Sequence, residues 1–136
     1  VGGKIIFKGR NTRGEVISRS IVKGEATTLM RGELVAHSSA RGHIDCKSLL
    51  LSPKASSEAI PVIKSLTDSA ELTHEAAIGK ISQEELEYLM TKGFSEDEAT
   101  SLIVRGFLEA GIERLPQKLQ SYISRVLDIA ARHAKG

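Results

Sequence analysis

Glu15-Val16-Ile17-Ser18-Arg19-Ser20-Ile21-Val22 carries the decision about the fold. Read as a strand, it sends successive side chains to opposite faces, so Val16, Ser18, Ser20 and Val22 share one parity. A sandwich core would fill that parity with large side chains. One this small and hydroxylated suits a narrow interior instead. The sequence on either side has the same texture, with short β segments at 4–7, 15–22, 26–30, 33–37, 44–51, 59–64 and 71–74 cut by Gly, Ser, Asn and Asp. None of it sustains helical spacing. Short strands turned by polar corners predict a β-helix, or solenoid, although no strict internal repeat marks its rungs.

After Lys80 the period changes. Ser82-Gln83-Glu84-Glu85 has the pattern of a capping box, followed by an apolar stripe of Leu86, Leu89 and Met90 and a stop at Gly93. Ser95-Glu96-Asp97-Glu98 repeats the device ahead of Ala99, Leu102, Ile103 and Phe107. Beyond Pro116, Leu119, Ile123, Val126, Leu127 and Ala130 keep helical spacing almost to the end. The expected organisation is a β region over 1–80 and three helices over 81–136.

Composition narrows the function classes. Charge is nearly balanced at +2, and the hydrophobic fraction of 40% contains no apolar run of the roughly 20 residues that a membrane-spanning helix needs. Neither a nucleic-acid partner nor a membrane is called for. Basic residues outnumber acidic ones by 12 to 8 up to Lys80, and acidic outnumber basic by 9 to 7 beyond it. The single cysteine, Cys46, excludes an internal disulfide and suits a reducing cytoplasm. The opening Val1-Gly2-Gly3-Lys4 has neither a signal-peptide pattern nor an initiating Met, as expected of a fragment of a longer protein or a short paralogue.

Two places could carry chemistry. Cys46 has the parity of Ile44, Ser48 and Leu50, so its thiol points inward if Ile44 does; a lone Cys there is also an ordinary buried filler. His74-Glu75 sets a metal-ligating ring beside a carboxylate, at the expected border between strand and helix. Several enzyme signatures fail. The His74-Glu75-Ala76-Ala77-Ile78 run lacks the second His of a zinc protease, and no Gly-rich run ends in Gly-Lys-Ser/Thr. With no Cys-x-x-Cys pair, one cysteine cannot supply the ligands of an iron-sulfur cluster alone, so any cluster here must be shared.

The order of several short blocks resembles the C-terminal region of the SufB/SufD family. They are Gly9-Arg10-Asn11-Thr12-Arg13-Gly14, Arg31-Gly32, Asp45-Cys46-Lys47-Ser48-Leu49-Leu50-Leu51, Ala70-Glu71-Leu72-Thr73-His74-Glu75-Ala76, Glu87-Tyr88-Leu89-Met90-Thr91-Lys92-Gly93-Phe94-Ser95 and Gly106-Phe107-Leu108. The resemblance implies a right-handed parallel β-helix followed by a small helical domain, acting with a SufC-type ATPase and a sulfur-donating cysteine desulfurase system. It also implies that Cys46, His74 and Glu75 take part in assembling or holding a transient iron-sulfur cluster, a combination more like SufB than SufD. Thr73 stands where SufB often has an acidic residue.

The leading expectation is therefore a scaffold subunit, not an enzyme. Its helices would dock the ATPase, through Arg105, Glu109, Glu113 and Arg114. It would pair with itself or a paralogue along the strands at 59–64 and 71–74. The alternative is an interaction module that recruits the ATPase without holding a cluster. A β-helical transferase with His74 as general base is a third class, for which no acceptor-binding motif is found.

Overall fold

The computed structural model describes residues 1–133; the last three residues of the expected helical segment lie outside the described part. Six strands come first: β1 (Gly2–Phe7), β2 (Thr12–Val22), β3 (Thr27–Ala36), β4 (Ala40–Leu50), β5 (Ser56–Ser65) and β6 (Ala70–Lys80). Helices α1 (Gln83–Thr91), α2 (Glu96–Glu109) and α3 (Gln117–His133) follow, with one 3-10 turn at Ile112–Arg114. Consecutive strands go to alternate sheets, β1-β3-β5 and β2-β4-β6, and every pairing is parallel. That is a parallel β-helix. Each rung contributes one strand to each sheet, and β5 and β6 are the edge strands of the last rung among the described residues.

The interior is as narrow as the small parity of β2 requires. Phe7, Met30, Leu34, Ala36, Ala40, Ile44 and Cys46 form its core, with the hydroxyls of Ser18 and Ser48 buried beside them. Those hydroxyls find partners, as buried polar groups must. Ser48 Oγ lies 2.5 Å from Ser20 Oγ and 2.6 Å from Ser57 Oγ. A second core lies outside the β2-β4-β6 sheet, where Leu49, Val104 and Ala131 are buried among Ile21, Leu51, Ile81 and Phe107. The helices are thus fastened to the outer face of one sheet.

Three expectations need correction. Segments 26–30 and 33–37 are one strand, β3, because Arg31-Gly32 is not a break. Gly32 is there for space: a Cβ would sit 2.7 Å from Ile44 Cγ2 of the facing sheet. Strand β6 does not stop at His74 but stays in register with β4 as far as Lys80, opposite Leu50. His74 and Glu75 therefore lie mid-strand. The reciprocal capping box forms at Ser95, whose N–H donates to Glu98 Oε2 at 2.8 Å while its hydroxyl accepts from Glu98 N at 3.2 Å. At Ser82 the hydroxyl half holds, accepting from Glu85 N at 3.3 Å.

Candidate functional site

Register fixes where each site residue points. In the β2-β4-β6 sheet, Val16, Ile44 and His74 stand in one column and Ser18, Cys46 and Ala76 in the next on the same face. Ile44 and Cys46 are both fully buried, so this face is the interior. Cys46 and His74 thus share the inner face on neighbouring strands. His74 is exposed because no further rung among the described residues covers β6. Glu75 has the opposite parity and stands over Asp45 on the outer face. The three expected ligands do not converge, and among the described residues no three His, Cys, Asp or Glu side chains are grouped to hold a metal ion.

The thiol is quiet in this state. Burial pushes the Cys46 pKa up, and the Asp45 charge adds to the rise, against the opposing pull of Ser18 and Arg19. A protonated thiol is neither a good ligand nor a good nucleophile.

Outside the same sheet runs a ladder of charges that composition alone did not reveal. Arg19 Nη2 meets Asp45 Oδ2 at 2.5 Å, with side chains only 11% and 13% exposed. Lys47 Nζ lies 3.5 Å from Asp45 Oδ1 and 2.9 Å from Glu75 Oε1. Burial acts to raise the Asp45 pKa, but the Arg19 guanidinium and the Lys47 ammonium outweigh it and hold the carboxyl below its ordinary range. Arg19 also lies over the Phe107 ring of α2, 5.9 Å from its centroid. The ladder therefore runs from the helices to Glu75.

Of the four residues expected to meet the ATPase, Arg105, Glu109 and Arg114 make ion pairs within the chain, with side chains 30%, 43% and 68% exposed. Arg105 pairs with Glu109 at 2.8 Å, reaches Ser124 Oγ at 3.1 Å and also pairs with Asp128 of α3. Arg114 pairs with Glu15 of β2 at 2.7 Å. Glu113 is exposed, and its carbonyl accepts from Gln120 at 3.3 Å. Sequence reasoning missed a different surface. On α3 the apolar residues divide: Ala131 is buried, whereas Leu119, Tyr122, Val126 and Ile129 form an exposed row, Tyr122 at 67% and Ile129 at 57%. Their i, i+3, i+7, i+10 spacing was the available signal.

The chain is similar to known proteins over nearly its whole length. Residues 1–107 match the family described as SUF system FeS cluster assembly, SufBD core domain. An iron-sulfur cluster assembly SufBD family protein of Pyrococcus horikoshii is 45% identical over 131 residues, covering 96% of this chain and 29% of that protein. One from Archaeoglobus fulgidus is 44% identical over 132 residues, covering 96% of this chain and 36% of the relative. One from Staphylococcus haemolyticus is 37% identical, covering 93% and 28%. The chain spans about a third of the length of these relatives.

Proposed function

Because the chain belongs to the SufBD family of iron-sulfur cluster assembly proteins, we propose that it is a scaffold segment on which a nascent cluster is built or held while a SufC-type ATPase is docked beside it. The cluster is cargo, and a cysteine desulfurase system supplies its sulfur. The observation that carries this reading is the inner face that Cys46 and His74 share on the neighbouring strands β4 and β6, with His74 exposed at the last rung where a second component can reach it.

One thiol and one imidazole are too few for a cluster, which commonly takes four protein ligands. Strands β5 and β6 present unpaired backbone groups along their outer edges, the surface a second chain would cover. Val62, Ile63 and Ile78 are exposed on them. Pairing there, with a second copy or a paralogue, brings a second set of ligands to the first. Glu75, on the outer face of the same edge strand, meets iron as it arrives or leaves. Docking of the ATPase falls on the helices, and the exposed row of α3 is a surface that no described residue covers.

The alternative is a module that recruits the ATPase and holds no cluster. Anaerobic addition of ferrous iron and sulfide separates the two. The scaffold reading expects a visible charge-transfer band that stays with the protein through gel filtration, and retention of the ATPase by the same preparation. Retention of the ATPase with no band would leave only the recruiting module.

A further inference from the structure

On the outer face of the β2-β4-β6 sheet, Asp45 and Glu75 are register partners, two like charges facing each other across adjacent strands. Such a pair repels unless a cation lies between. Lys47 supplies it, with its Nζ 2.9 Å from Glu75 Oε1 and 3.5 Å from Asp45 Oδ1. The two carboxylates differ in what else holds them. Asp45 keeps Arg19 at 2.5 Å in a mostly buried pair, whereas for Glu75, 59% exposed, Lys47 is the only ion-pair partner among the described residues.

We propose that Lys47 is the resident counter-ion of Glu75 and sets how readily that carboxylate takes up a metal cation. This rests on the reading that Glu75 meets iron. An ammonium and a metal ion compete for the same oxygen, so iron binds there only when Lys47 swings away, carrying its proton with it. The swing is feasible. An ion pair with Glu75 59% and Lys47 31% exposed holds weakly, and the Lys47 stem is flexible. The apparent affinity for iron is then lowered by the fraction of time that Lys47 occupies the carboxylate. Lys47 is a positioning residue: in the empty state it occupies the Glu75 carboxylate and cancels the repulsion from Asp45.

The test is equilibrium dialysis of the whole chain against ferrous iron under anaerobic conditions, with no cluster assembled. Lys47→Met should tighten binding about two- to fivefold, the range that a weak exposed pair can withhold. Lys47→Arg, which restores a competing cation, should return it to the wild-type value, and Glu75→Gln in the Lys47→Met background should erase the gain. Lys47→Gln guards against a packing artefact and should behave like Lys47→Met. If the neutral variants bind iron no more tightly than wild type while Glu75→Gln weakens binding, Lys47 has no such role and the site reading stands. If Glu75→Gln changes nothing in either background, the carboxylate does not meet iron and the proposal falls with that reading.

Discussion

Replacing Cys46 tests whether the thiol is there for packing or for chemistry. The side chain is fully buried in the cluster of Phe7, Met30, Leu34 and Ile44. Cys46→Ala removes a group about the size of a methylene, which costs about 1 kcal/mol in transfer alone. The small cavity left behind raises the total to about 1–2 kcal/mol. Cys46→Ser keeps the shape but buries a hydroxyl, a change costing about 1–3 kcal/mol if the hydroxyl finds no partner. Ser18 stands opposite in register and offers one, so the lower end applies. Against a total stability of about 5–15 kcal/mol, both variants stay folded. In urea, with a slope of about 1–3 kcal/mol per molar, each midpoint should fall by about 0.3–2 M. A loss several times larger, or failure of both variants to fold, would refute the reasoning and leave Cys46 as a structural element of the interior.

Other expectations follow from the same structure. Asp45 is held below the ordinary carboxylate value of about 3.9, so its pairing stabilises the fold fully above that value and is lost as pH falls through the lower folded one. Asp45→Asn should therefore destabilise by about 2–4 kcal/mol at neutral pH, and the difference should shrink on acidification below about pH 4; a pH-independent difference in urea titrations would contradict this. On α3, Tyr122→Glu and Ile129→Glu change exposed positions, so stability should stay within about 0.5 kcal/mol while retention of the SufC-type ATPase on the immobilised chain is lost; undiminished retention would move the docking surface elsewhere. Gly42→Ala would place a Cβ 2.8 Å from Leu72 Cδ2, 2.9 Å from Leu34 Cδ1 and 3.0 Å from Phe7 Cε2, an overpacking worth about 1–3 kcal/mol that should lower the Tm by several degrees.

The interior of the β-helix was legible because β2 alternates so plainly, and the parity of Cys46 with Ile44 followed from counting alone. The repeat was not. In the β2-β4-β6 sheet Thr12 faces Ala40 and Ala40 faces Ala70, offsets of 28 and 30 residues, whereas the β1-β3-β5 sheet keeps 29 at both pairings, so no single period runs through both sheets. The outer edge was hidden for a related reason. An edge strand has solvent along one side, and the Ala76-Ala77-Ile78-Gly79 stretch of β6 lacks the alternation that marks a half-buried strand. This placed His74 and Glu75 at a strand end instead of on opposite faces of its middle. Sequence shows the charged faces of the helices but not which neighbour each side chain meets, so the ion pairs that Arg105 and Arg114 make within the chain were not legible.

The most direct test of the central claim is the iron and acid-labile sulfide retained per chain after anaerobic reconstitution and gel filtration, compared between wild type and Cys46→Ala. The scaffold account predicts that wild type carries both elements in a dimeric fraction and that Cys46→Ala, folded as the urea titration requires, carries neither. Equal iron and sulfide in the two proteins, or a full cluster held by a wild-type monomer, would contradict it.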